Sequence, residues 1–518
     1  DKAVANVLNT LAGKLTYEAF VSGEKNLNGK VQIASGLTSS SASAKVGDIT
    51  FNEQGQGTYV PPKEPEIPEH QNKVEFSQTI TGDKKLDKEY LYSGVLKENG
   101  TYVFEKDSDI TITDAKNAAI NVKKDVIINA TGSTLNLHTQ NMGIKQETDK
   151  KAEITADRLN INVENKGRVE GIHLFGVNKK AEVTINGNTN ITAHGVDYTL
   201  GAYVAGDALL TFNGNVTMKG ENGAWGIDNN DTSANGYYSI SGLYAGSDNK
   251  TAGATINVNG NVDLAVNGTG VLANGFGSTV NINGGGTIVT NKDASDFHYG
   301  LAATNGTVNM NMNDAKDGAA NNKVNIQGNL GVTDGAAHEN DPVKDSVINL
   351  GLSTQDSTLE GVIVKDFKES NIAKGYTGEV NLYLSNGATW NNSVYGSVSL
   401  DFAGSEVEKL VGGSDEAHRG VILQNDENKL TVNNYSGNTL IIYDHTGDGS
   451  KAEDYAAGDT IIKQAEKGSA ITLSTSNNGV NMKDSASIEA TLNALAGKLT
   501  YEAFMKGENN LTGKVPVS

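Results

Sequence analysis

The chain contains no cysteine in 518 residues. Disulfide frameworks and thiolate-held metals are therefore excluded, although an extracytoplasmic location is not. Proline is scarce, at 6, and four of these fall in "VPPKEPEIPE" at residues 60–69. Arginine occurs only as Arg158, Arg168 and Arg419, and the formal net charge is −20. With no basic stripe, nucleic acid and anionic membrane surfaces are poor partners. No apolar run approaches the roughly 20 residues of a membrane-spanning helix. No leader pattern is visible either, so if the whole protein is exported those elements are expected elsewhere in it. Tryptophan is limited to Trp225 and Trp390.

Glycine, by contrast, is abundant at 60, and Asn, Thr, Val and Ile crowd the middle of the chain. This is a composition of strands and turns. Short Gly-apolar tracts recur at Gly143, Gly171, Gly201, Gly242, Gly270 and Gly300, at spacings of 28, 30, 41, 28 and 30. Each is followed by an alternating segment such as "AEITADR", "AEVTING" or "ATINVNG", and usually by a third such as "LNINVEN" or "VDLAVNG". Three short strands per period predict an all-β chain, a right-handed parallel β-helix with three strands per turn. A β-sandwich is the competing reading, since regular turns also suit it. Alternation should send Val183 and Ile185 inward and Thr184 outward. Asn stacked on Asn should form amide ladders between turns. About 400 residues at about 28 per turn give about 14 turns.

The ends of the chain repeat each other. Residues 9–31 and 493–515 are identical at 18 of 23 positions. A helix is expected to about residue 23, with Val4, Leu8, Leu11 and Leu15 on one face and Gly23 as its C-cap. The second copy should place Leu492, Leu495 and Leu499 on the same stripe. A chain that opens in one copy and closes in another is expected to be one period of a longer tandem protein. The resulting division is a helical spacer with a short strand at 1–60, a Pro-rich linker at 61–73, and β-helix turns at 74–344 with an insertion near 219–238. Residues 345–484 form a better-filled C-terminal part that caps the stack, and 485–518 form the truncated second spacer.

Several of these stretches resemble a known family. "LYLSNGATWNN", "LTVNNYSGNTLIIYD" and "AGDTIIKQAEKGSAITLST" resemble the C-terminal part of autotransporter passengers of type V secretion. "GKLTYEAFVSGEKNLNGKVQIASGLTSSSASAKVGDITF" is similar to a spacer between passenger units in large autotransporters of Gram-negative-staining Firmicutes. The resemblance implies an autochaperone-like cap at 345–484 and display at the cell surface, anchored in the outer membrane by a translocator barrel outside this chain. It also implies adhesion, biofilm formation or aggregation, although fold alone does not fix activity.

Residue patterns for catalysis are sparse. There is no G-x-S-x-G elbow for a serine nucleophile. The eight histidines show no zinc-binding spacing; His173, His194 and His298 lie near turn corners, where surface or ladder roles are expected. Asp444 and Asp448 in "YDHTGDGS" lack the further carboxylates of a calcium loop. No metal or cofactor is expected. A carbohydrate-active β-helix, a lyase or hydrolase, would need converging carboxylates. Asp197 and Asp296 sit several turns apart.

The aromatics point to binding. Tyr198, Tyr203, Tyr237, Tyr238, Tyr244, Phe297 and Tyr299 fall near one corner of neighbouring turns. The long period before Gly242 carries Trp225 in a loop, as a partner's anchor or as a plug. Of these, Trp225, Tyr198, Tyr203, Tyr237, Tyr238, Tyr244 and Tyr299 are the candidate ligand-binding residues. The expected function is adhesion without catalysis, to a host or bacterial surface glycan or protein. The alternatives are a carbohydrate-active enzyme and homotypic self-association.

Overall fold

The computed structural model describes residues 2–33, 45–60, 95–96, 99–112, 116–229, 239–247, 252–293, 299–333, 345–365, 378–398, 402–445, 451, 454–455, 458–476 and 485–515. The Pro-rich linker at 61–73 lies outside them. The chain divides into two units, Asp1–Asn72 and Lys73–Ser518.

The first unit holds helices α1 (Lys2–Ala12) and α2 (Glu18–Val21) and an antiparallel sheet of β1 (Gly29–Ile33), β2 (Lys45–Phe51) and β3 (Gly57–Val60). The single helix expected to residue 23 is thus broken. After α1 the chain tightens, with Lys14 N–H donating to the Leu11 carbonyl. Residues 15–17 then run extended, and Thr16 bridges Gln56 antiparallel. Extended backbone suits Thr16 and Tyr17. The expected stripe is broken with it: Leu8 is buried, but Leu11 is 46% exposed. Gly23, at φ +90, lies just past α2, with its N–H on the Phe20 carbonyl.

The second unit is all-β. Its strands form one large parallel sheet, in a pattern consistent with a parallel β-helix. Each strand pairs with its equivalent one period later, so like residues stack. One interior column runs from Ile128 through Ile154, Ile185, Phe212, Val258 and Ile282. It continues through Met310, Leu350, Leu382 and Leu410 to Tyr435. All of these are buried in one apolar cluster. Val183 and Ile185 face inward, while Thr184 is only partly buried.

The recurring glycines have a steric cause. A Cβ on Gly143, Gly171, Gly201, Gly242 or Gly270 would lie 2.4–2.7 Å from the carbonyl oxygen of the next glycine in the series. The stack therefore closes only where no side chain is present. The amide ladders also form. Asn281, Asn309, Asn349 and Asn381 each donate to the asparagine one turn before, over 2.7–2.9 Å.

Among the described residues there are three sides of strand per turn up to Lys365, and beyond it two, beginning with Gly378–Leu384 and Thr389–Asn391 and ending with Thr460–Ala465 and Ser469–Thr475. The three-strand period seen in the glycine-spaced turns is thus not found among the described residues of the C-terminal part. Residues 392–398 instead fold back along the third side: Tyr395 N–H donates to Asn329 Oδ1 over 3.1 Å, and its hydroxyl reaches the Thr290 carbonyl over 3.2 Å.

The second spacer copy begins with α3 (Ser485–Ala496) and then extends the parallel sheet. Leu499–Tyr501 pairs with residues 460–462 and Leu511–Lys514 with residues 469–472. Leu495 is buried at 2% exposure. Leu499 lies on a strand rather than on the expected helical stripe. Among the described residues no helix is long and apolar enough to cross a membrane.

Candidate functional site

On the outer face of the strands that begin each glycine period, pairing aligns Lys145, His173, Tyr203, Tyr244, Leu272 and Ala302 in one column. Their sequence neighbours, including Ile172, Leu174, Ala202, Val204 and Leu243, point into the core. Strands about 4.8 Å apart bring such side chains into ring-stacking distance. The His173 and Tyr203 rings lie 5.2 Å apart at 29°, and Tyr203 and Tyr244 lie 5.2 Å apart at 31°.

A charged chain runs beside this stack. The Arg168 guanidinium lies 5.3 Å from the Tyr203 ring and 5.5 Å from that of Tyr198. Its Nη2 meets Glu170 Oε1 at 2.5 Å. Glu170 is fully buried, and its other oxygen contacts His173 Nδ1. His173 Nε2 lies 3.4 Å from Glu147, which pairs with Lys145 at 3.1 Å. A carboxylate without exposed surface needs such partners. Burial opposes the charge of Arg168, yet Glu170 more than compensates and holds the guanidinium above its usual range. Burial, and then the Glu170 charge, raise the Tyr203 phenol.

Both Tyr203 ring faces are turned to neighbours, so solvent meets edges and polar groups. The Tyr244 hydroxyl accepts from Asn274 Nδ2 over 2.7 Å. The arrangement therefore favours hydrogen bonding and edge contact over flat stacking of a sugar on Tyr203.

The column is covered further along. Leu272, Tyr299, Ala302, Val362 and Val364 form a second apolar cluster, with Tyr244, Val394, Val398 and Phe402 packed against it. Tyr299, at 1% exposure, is enclosed there. Of the sequence candidates, the structure thus brings Tyr198, Tyr203 and Tyr244 together. Tyr237, Tyr238, Phe297 and His298 lie outside the described residues, as do Asp296 and Asp448. Trp225 is partly buried and closes a tight turn as the bridge partner of Lys219.

Sequence reasoning missed Arg168 and Glu170 and left His173 without its two carboxylates. The available signal was "GRVEGIH", where one of only three arginines stands two residues before a glutamate in a strand. A separate open groove of about 670 Å³ is lined by Thr111, His138, Asn162, Glu164 and Lys166, among others. Among the described residues Glu164 is its one lining carboxylate. No family model, curated protein or solved structure matches the chain.

Proposed function

We propose that this chain is the passenger of a type V autotransporter, displayed at a bacterial surface as a right-handed parallel β-helix, and that it acts by adhesion. The observation that carries this reading is the His173–Tyr203–Tyr244 stack, set on a regular sheet face beside Arg168. A side-facing column on stacked turns is a natural contact surface for repeat folds. Its polar edges and paired charges suit hydrogen bonding to a surface glycan or a polar protein segment. Anchoring in the outer membrane and a role in biofilm belong to the same proposal.

The test is adhesion of the purified chain to target cells, with a glycan array beside it. Tyr203→Ala with Tyr244→Ala should lower binding about tenfold or more, the scale of an aromatic hot spot. Full adhesion by a folded double variant would refute this site.

One observation favours a second reading. His173 stands between Glu147 and Glu170, an arrangement that can position a proton-transferring group for polysaccharide cleavage. Polymer cleavage abolished in a folded His173→Gln variant would establish it; no cleavage by the unaltered chain on a panel of surface polysaccharides would end it.

A further inference from the structure

The two spacer copies share their backbone turns but use different partners. After the helix, Gly13 N–H bonds the Asn9 carbonyl over 2.9 Å, and Gly497 N–H bonds Asn493 over 3.0 Å. Lys14 reaches Leu11 over 3.1 Å, and Lys498 reaches Leu495 over 3.0 Å. Gly23 and Gly507 end the next turn at φ +90 and +87. The strand that lies between these turns is paired differently in each copy. Residues 15–17 pair antiparallel with residues 55–57, with Tyr17 N–H on the Gly55 carbonyl and Gly57 N–H on the Leu15 carbonyl. Leu499–Tyr501 pairs parallel with residues 460–462, with Thr460 N–H on the Lys498 carbonyl.

These pairings use opposite edges. Along an extended strand, successive residues direct their backbone groups to alternate sides. Leu15 spends its carbonyl on one edge, and Lys498, the counterpart of Lys14, spends its own on the other. One spacer strand is therefore able to hold both partners at once. The side chains agree. Leu495 is buried at 2% in the main core cluster, whereas its counterpart Leu11 is 46% exposed. Thr491 is 1% exposed and its counterpart Val7 is 49% exposed. In the first copy, Val7 and Leu11, on the helix face that the second copy buries against a coil end, are exposed.

We infer that the first spacer copy docks onto the C-terminal coil end of a second copy of this chain. Residues 15–17 pair in parallel with residues 460–462 of that copy, and Leu11 enters the place held here by Leu495. The spacer is then a two-edged splice: one edge continues the parallel sheet of the preceding unit, and the other is closed by residues 55–57 of its own. The occupant is set by 18 of 23 identical residues and by the pairing already made at the other end. The inference does not rest on the adhesion reading.

In the unaltered chain the second copy already fills the coil end, so the test loosens it. The full chain would carry Leu495→Asp, Thr16→Cys and Ile461→Cys; with no native cysteine, the new thiols are the only ones. Thr16 is the counterpart of Thr500, which faces Ile461 in the register. Under mild oxidation, denaturing gels should show disulfide-linked dimers and longer ladders. Adding Leu11→Asp should reduce them about tenfold, the scale of one buried leucine. If Leu495→Asp loses its sheet signal, Leu495→Ala replaces it. Absence of intermolecular cross-links in a folded variant would overturn the inference. So would cross-links indifferent to Leu11, or a product closed within one molecule.

Discussion

A carboxylate with no exposed surface is costly to hold inside a sheet unless its charge is met. Glu170 is met by Arg168 and His173 together, so removing it strands a guanidinium and an imidazole. Glu170→Ala is expected to cost about 2–4 kcal/mol, below the range for fully buried pairs because Arg168 is half exposed. Glu170→Gln should recover part of this. Urea denaturation measures both; equal stability to the parent would mean that the pair contributes nothing net. Gly201 is a different kind of constraint. Its Cβ would lie 2.5 Å from the Met218 sulfur and 2.6 Å from the Gly242 carbonyl. Gly201→Ala should cost about 3 kcal/mol through forced separation of turns, with a drop in thermal midpoint as the readout.

The segment at 392–398 is the element that decides how much of the aromatic column is open. Burial, and then Glu360 and Asp293, push the Tyr395 phenol up to about 12. A raised value means that the folded segment prefers the neutral phenol. Its contribution is therefore complete below pH 10 and is lost as pH rises through about 12. Phenolate absorbance should show a late step in this window, with release of the segment from Asn329 and Thr290. Tyr395→Phe should remove that step. A late step of the same size in the Tyr395→Phe variant would contradict it. This element also marks the limit of what the sequence discloses. The three-strand period was legible because glycine recurs wherever a Cβ would strike the next turn. The amide ladders were legible because asparagine recurs at one register position. The change to two strands was not, because "NSVYGSV" has neither alternation nor periodicity and takes its place from contacts with Asn329 and Asp426. In the site, the tyrosines stood out by type. His173 stood out only as a corner residue, and Arg168 and Glu170 were not assigned to the site, because their pairing with it depends on burial at that corner.

At the scale of the whole molecule, the second unit has one continuous core but nearest-neighbour connectivity. The main cluster reaches from Leu96 to Leu495, yet among the described residues the strand pairing runs from each turn to the turns before and after it, with the 392–398 segment reaching further back to Asn329 and Thr290. Stability in such a stack is a sum of turn and interface terms. The largest enclosed side chains include Trp390, Tyr435 and Tyr443, all in the two-strand part. Trp390 also donates from Nε1 to the Gly361 carbonyl over 2.8 Å. The slowest amide exchange is therefore expected between residues 378 and 475. Trp390→Ala should cost about 3–5 kcal/mol locally. Its loss of protection should concentrate in Thr358–Glu360 and Gly420–Gln424, the strands paired with Thr389–Asn391, and leave Met142–Gln146 unchanged. Hydrogen exchange read by mass spectrometry distinguishes the cases. A uniform fall in protection from Val126 to Thr475 would mean that the unit unfolds as a single cooperative body, and the turn-by-turn account of its stability would fail.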